Sequence, residues 1–234
     1  MAKEALQKID GKKRGRIFRN AAAEFARYGY HKANVNSIAQ RAGIGKGSIY
    51  LYFIDKRDLY YSTFKEAVRV QESIFDSIER LELDPIAKIE RAFEESLKAF
   101  PQYRNMFRMY FDVSTSGDDR SLVALAQLLE RRSADFFTRI LSEGIQKGRI
   151  RKGLPVPYAA YVLDSVYSSF FSSLACSYQG ERFRIFTQDK LSCDGENIKQ
   201  HVHFILDVLG AGISVGGNGP AKTTPDETAV RRTR

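Results

Sequence analysis

The stretch "AGIGKGSIYLYF", Ala42–Phe53, places three glycines, a lysine and a serine ahead of an abruptly aromatic run. A loop that cradles phosphate requires Gly-x-x-x-x-Gly-Lys-Ser/Thr between a buried strand and a helix. Here Lys46 precedes Gly47, and the position five residues before Gly47 is Ala42. The spacing Gly43, Gly45, Gly47 also misses Gly-x-Gly-x-x-Gly. Upstream, Val35, Ile38, Ala39 and Ala42 recur at i, i+3, i+4 and i+7, which is the interval of a helix and not of a strand. The glycines therefore follow a helix and turn a corner.

Working outward, Ile17, Phe18, Ala21, Ala22, Phe25 and Ala26 form one apolar stripe that predicts a first helix over Lys13–Tyr28, stopped by Gly29. Asn34 has the side chain to cap a second helix over Val35–Ala42, and Gly43 can take the left-handed conformation that ends it. A third helix opens at Gly45, with Ile49 and Phe53 four residues apart and directed at the core. Asp55 and Asp58 resemble a capping box for a fourth helix running from about Lys56 to Leu81. Two short helices joined by a glycine-bearing turn make a helix-turn-helix.

Hydrophobic content of 43% suits a folded chain of 234 residues. Cys176 and Cys193 are too far apart for a paired metal or redox motif, so a reduced cytoplasmic setting is the default. The N-terminus is charged and offers no apolar signal segment. The longest apolar window, Tyr158–Tyr178, contains Asp164 and six serines, which suits a buried or interface helix better than a membrane span. Net charge is +9, and residues 1–60 hold 13 Lys+Arg against 5 Asp+Glu, leaving a surplus of only one over the rest. That distribution is the footprint of a nucleic-acid-binding module, although a solvated basic face or a membrane-surface helix would have the same composition.

The segment Ile17–Tyr60 resembles the N-terminal DNA-binding domain of the TetR family of bacterial transcriptional regulators. The resemblance is carried by Ala21 and Phe25 with Gly29-Tyr30, then Val35, Ile38-Ala39 and Ala42-Gly43, then Lys46-Gly47-Ser48-Ile49-Tyr50 and Phe53, then Lys56 and Leu59. It departs at Gly45, where the family often places a capping serine, and at Leu51, where a polar or aromatic residue is more usual. The residues read the same way on their own. Gly47 and Ser48 are small enough for the backbone to approach base edges, while Lys46, Tyr50, Tyr52 and Lys56 have the groups to hold phosphate. Asn34, Asn36 and Ser37 at the start of the second helix, with Leu51 on the third, complete the candidate DNA contacts; Asn36 suits an adenine edge and Leu51 a thymine methyl. Each has a structural alternative: Tyr52 packing on the first helix, Asn36 supporting the cap, Ser48 bonding within its helix. The basic stretch Lys8–Arg16 is either an arm for the adjacent minor groove or a solvated terminus.

Beyond Leu81 the chain is charge-balanced and rich in bulky apolar residues. Asp84-Pro85 opens a helix carrying Ile86, Ile89, Phe93 and Leu97, which Pro101 is expected to interrupt. A further helix with Met106 and Phe107 is expected to break at Ser116–Asp119, followed by a long one from Arg120 to about Lys147 and by two near Tyr158–Tyr178 and Asn197–Ile213. The tail 216–234 lacks apolar periodicity and reads as disordered. The fold expected is thus all-α: a three-helix DNA-binding domain with a basic N-terminal arm over 1–55, joined by a long helix to a helical ligand-binding and dimerisation domain over 56–215. The resemblance implies a homodimer paired through its last two long helices, with Ile198, Val202, Ile205 and Leu209 as a seam, and a pocket for an unidentified small-molecule effector among the middle helices. Phe93, Phe107, Tyr110, Phe111, Phe136, Phe137, Tyr161 and Phe171 are the pocket candidates, with core packing as their other explanation, and Arg104, Arg108 and Asp112 the polar ones.

His201 and His203 stand two apart on a helix and so face differently, a poor metal site; no metal and no cofactor are expected. The sequence contains no His-Glu-x-x-His and no paired-cysteine motif. The reading is of a regulator and not an enzyme: a repressor that holds an inverted-repeat operator in double-stranded DNA and is released by an apolar or aromatic ligand. The alternatives are an architectural DNA-binding protein without sequence preference, or an all-helical enzyme whose catalytic groups form no recognisable motif.

Overall fold

In a computed structural model, which describes residues 4–114, 120–191 and 195–213, every regular element is a helix. In chain order these are α1 (Glu4–Gln7), α2 (Gly11–Lys32), α3 (Val35–Arg41), a 3-10 turn (Lys46–Ser48) leading into α4 (Ile49–Tyr52), α5 (Lys56–Glu79), α6 (Pro85–Ser114), α7 (Arg120–Gln146), α8 (Val156–Ala175), α9 (Ser177–Thr187) and α10 (Gly195–Ile213). The expected break at Ser116–Asp119 and the tail 216–234 lie outside the described residues.

The helix-turn-helix forms for the reasons legible in its residues. Asn34 caps α3 by accepting the Asn36 N–H at 2.9 Å. Gly43 adopts φ 69°, and the chain closes α3 with the Gly43 N–H on the Gln40 carbonyl and the Ile44 N–H on the Ala39 carbonyl, the paired bonds of a left-handed helix stop. Gly29 (φ 68°) breaks the regular geometry of α2 where a stop was expected, one turn before Lys32. Ile49 and Phe53 are both buried, and Phe53 meets Phe18 edge-on at 5.9 Å. Asp55 caps α5 through the Asp58 N–H at 2.7 Å, while the Asp58 carboxylate accepts from the Ile54 N–H.

Four expectations need correction. The helix α2 starts at Gly11, because Asp10 caps it through the Lys13 N–H, so Gly11–Arg16 is helix and not an extended arm. Ahead of it α1 buries Leu6 in the same core, an element too short to leave a periodic signal. Pro101 does not interrupt α6. It is exposed, where water can serve the carbonyl it leaves unpaired, while Phe93 and Phe100 before it and Met106 and Met109 after it are buried and hold the helix on course. Finally, the window Tyr158–Tyr178 is two helices, separated at Cys176 (φ −119°, ψ 129°), and α9 was not anticipated. A Cβ on Gly180 would lie 2.9 Å from the Ser173 carbonyl oxygen, so only glycine lets α9 lie this close to α8.

Two apolar cores result. One gathers Ile17, Phe18, Phe25, Ile38, Ile49 and Phe53 with Leu59 and Phe64 of α5 and Met106 and Met109 of α6. The other gathers Phe75, Phe93, Phe136, Phe137, Tyr167 and Phe171. Glu24, only 2% exposed, accepts the Asn34 N–H at 3.0 Å and the Arg41 guanidinium at 2.5 Å, tying α2 to both ends of α3. Its removal strands a backbone N–H and the Arg41 charge, at a cost of about 2 kcal/mol. Glu24→Ala is therefore expected to lower the melting temperature by roughly 4–8 °C in a thermal scan.

Candidate functional site

The sequence-predicted DNA contacts separate into two groups. Asn36, Lys46, Gly47, Tyr50 and Leu51 are exposed, and Ser37 and Ser48 half-exposed, along the start of α3 and along the turn and helix that follow it. Leu51 is 61% exposed, unusual for a leucine with an apolar core beside it. The others are engaged inside the domain. Tyr52 is buried and its hydroxyl accepts from Lys13 Nζ at 3.0 Å, which takes it off the surface. Lys56 Nζ donates to the His31 carbonyl at 2.8 Å and sits over the Tyr30 ring, so it locks α5 onto the end of α2. Asn34 spends its side-chain oxygen on the cap.

A second constellation lies between the two cores, in a cavity of ≈ 100 Å³ bounded by α5, α6, α7 and α8. Phe64 and Met106 reach it from the core of the helix-turn-helix, Ile74 and Tyr167 from the other core. Among the pocket candidates, Phe107 and Tyr110 line this cavity. Phe93, Phe136, Phe137 and Phe171 are fully buried packing residues, since each fills the core behind the cavity wall. Phe111 borders a shallow recess, and Tyr161 stands 73% exposed on a different groove, between α8 and α9. Arg104, Arg108 and Asp112 are exposed and do not line the cavity.

Apart from Tyr110, the polar groups of the cavity were not among the candidates. The Tyr110 hydroxyl donates to Glu130 Oε1 at 2.8 Å, and Asp164 lines the same space beside Ser133 and Ser168. Burial pushes the Glu130 carboxyl up; the Tyr110 bond opposes this and the neighbouring Asp164 charge adds to it. Burial also raises the Asp164 carboxyl, with the Ser133 hydroxyl offsetting it in part. Tyr110 is raised as well, first by burial and then by Glu130. The signal for Asp164 was present in the sequence as the lone carboxylate in the most apolar window of the chain.

An exposed polar surface on a helix-turn-helix, joined by two continuous helices to a body that holds a mixed cavity, defines a DNA-binding regulator with an effector domain. Residues 17–62 match the profile of the bacterial regulatory proteins of the tetR family. The chain is 32% identical over 160 residues to the fatty acid metabolism regulator protein of Bacillus subtilis (strain 168), spanning 62% of this chain and 74% of that one. Two solved structures share the fold. The fatty acid degradation regulator FadR of Bacillus halodurans has a TM-score of 0.67 at 20% identity, covering 88% of this chain and 97% of that one. The regulator FadR of Bacillus subtilis in complex with stearoyl-CoA has a TM-score of 0.65 at 22% identity, covering 84% and 97%. The chain belongs to the TetR family, and it is a sequence-specific DNA-binding transcriptional regulator. No helix among the described residues is long and apolar enough to cross a membrane.

The raised carboxyls have a consequence for stability. A carboxyl whose folded pKa lies above its unfolded value binds more protons in the folded state. Stability then falls as pH rises through the window between the two values and stays reduced at neutral pH. Asp164→Asn is therefore expected to stabilise the ligand-free protein at pH 7 by about 1 kcal/mol after discounting for partial solvation, or roughly 2–4 °C. The gain should vanish at a pH below the ordinary carboxylate range, which thermal scans at the two pH values check.

Proposed function

We propose that the protein is a homodimeric repressor that grips an inverted-repeat operator through residues 1–55 and lets go when a small apolar or aromatic molecule enters the cavity of residues 56–215. The observation that carries this reading is the double membership of Phe64 and Met106, each packed in the helix-turn-helix core and each lining the cavity. A ligand that displaces either side chain displaces α5 or α6 against α2. The spacing of two recognition elements on DNA then changes, and the equilibrium shifts to the state that binds ligand better. Three kinds of relative are named as repressors, of the acrEF/envCD operon and, elsewhere, as KstR2 and AcnR. The stearoyl-CoA complex of the Bacillus subtilis FadR gives this fold a precedent for a ligand with a long apolar chain.

The surface of the last helices supports dimerisation. Tyr158 (75% exposed) and Val162 on α8, Phe186 on α9, and Phe204 and Val208 (77%) on α10 leave a run of large apolar side chains uncovered in the single chain. A second copy covers them, and two recognition elements set one helical turn or more apart supply the specificity that one short helix lacks. In this reading Lys46 and Tyr50 hold phosphate, Asn36, Ser37, Gly47, Ser48 and Leu51 approach base edges, and Asn34, Tyr52 and Lys56 position them.

Selection from random duplex DNA at physiological salt tests the whole reading: one enriched inverted repeat supports it, and retention without enrichment leaves an architectural protein. On the enriched site, Lys46→Ala is expected to weaken binding evenly across sequences and reduce the salt slope by about 1. Asn36→Ala should instead relax discrimination at one position by about 1–3 kcal/mol, read from competition with single-base variants. Val208→Asp, placed on an already exposed side chain, should leave the helices folded by circular dichroism and shift sedimentation from dimer to monomer.

A further inference from the structure

Glu130 and Asp164 differ from several other buried or half-buried acids among the described residues in what faces them. Glu24 meets Arg41, and Glu66 meets Arg14 and Arg69. At the edge of the second core, Glu79 meets Arg132 and Arg139, and Glu143 meets Lys88 and Lys147. Glu130 and Asp164, which line one cavity, have Tyr110, Ser133 and Ser168 around them, and among the described residues no Lys or Arg lines that cavity. Two carboxyls turned toward one space without a cation are an expensive arrangement, since each disfavours the charge of the other. The remaining walls include Phe64, Tyr103, Phe107 and Tyr167, aromatic rings of the kind that attract a cation at their faces, beside aliphatic side chains such as Val68 and Leu129. Positive charge is what the site lacks, and apolar contact is what the rest of it offers.

We infer that the effector of this cavity is an organic cation, an amine or quaternary ammonium on an apolar or aromatic body, whose charge sits between Glu130 and Asp164 and whose body lies against the aromatic walls. The inference rests on the cavity being the effector site. It narrows the ligand to a charge class opposite to that of a carboxylate or an acyl-CoA head, because an anionic group brought beside these carboxyls would add a third negative charge in a poorly solvated space. An acyl chain alone would leave both carboxyls buried and unpaired.

The test compares ligands that share a skeleton and differ in charge: 4-phenylbutylamine, 4-phenylbutanol and 4-phenylbutyrate, the same three head groups on a decyl chain, and stearoyl-CoA. Binding to the full chain is measured by calorimetry, and release by fluorescence anisotropy of the selected operator. The expected result is that the amines bind at least tenfold more tightly than the alcohols, that the carboxylates are excluded, and that the advantage of amine over alcohol disappears in the Glu130→Gln/Asp164→Asn double variant. The inference is overturned if alcohol or carboxylate binds as tightly as amine on both skeletons, if the double variant keeps the amine's advantage, if stearoyl-CoA alone releases the operator, or if no amine binds. In each of those cases an operator still bound specifically by the same protein preserves the regulator reading. Failure to select any operator sinks that reading whatever the calorimetry gives.

Discussion

Phe64 and Met106 must satisfy two packing environments at once, and the rest of the architecture follows from that constraint. Each is buried in the core that fixes α2 against α3 and α4, and each forms part of a cavity wall. A close-packed interior does not deform continuously, so a side chain shared by two such regions transmits displacement instead of absorbing it. The continuity of α5 and of α6 matters for the same reason. A break at Pro101 would have divided the buried run from Phe93 to Met109 into two independently mobile pieces; an unbroken α6 joins the DNA-binding core to the body as one lever.

The polar contacts divide according to what they must hold. Around the helix-turn-helix, buried acids are paired with arginines: Glu24 with Arg41 and Glu66 with Arg14 (2.9 Å) across helices, and Glu66 also with Arg69 (2.7 Å) one turn along its own helix. Such pairs add little net stability over apolar residues of the same shape, yet they fix one register, because a slipped helix would strand a charge. Fixing a register is the requirement of a surface that must match DNA. In the cavity, by contrast, Glu130 is held by the Tyr110 hydroxyl and Asp164 by that of Ser133.

Most of the fold could be read from residues whose local chemistry has one outcome: Asn34 as cap, Gly43 as left-handed stop, Ile49 and Phe53 as the buried side of the short helix. What could not be read depends on contacts distant in sequence. Pro101 is a helix breaker by local rules, and only the burial on both sides of it keeps α6 whole. Cys176 has no intrinsic reason to be extended, so the α8–α9 corner left no sign in composition. Among the candidate DNA contacts, residue type alone could not separate Tyr50, which is exposed, from Tyr52, whose hydroxyl meets Lys13 from a helix 39 residues earlier. The aromatic stripes marked α6, α7 and α8 but not α5, which lines the cavity with Phe64, Val68 and Ile74, and helical periodicity cannot distinguish a wall from the core behind it. That is why Phe107 and Tyr110 face the space while Phe93 and Phe171 do not.

A regulator of this design needs a body that is not at its most stable when empty. To move a two-state equilibrium from 1:99 to 99:1, a ligand must favour one state by about 5.5 kcal/mol. A rigid, fully satisfied interior would resist that shift, since the ligand's contacts would then have to offset broken native ones. Here the cavity brings together two carboxyls whose charged forms burial makes costly. Relieving that cost adds to whatever apolar contact the ligand makes, and the relief occurs only in the occupied state. A ligand shifts such an equilibrium only by its difference in affinity between the two states, and in the proposed reading that difference arises where Phe64 and Met106 belong both to the cavity wall and to the helix-turn-helix core.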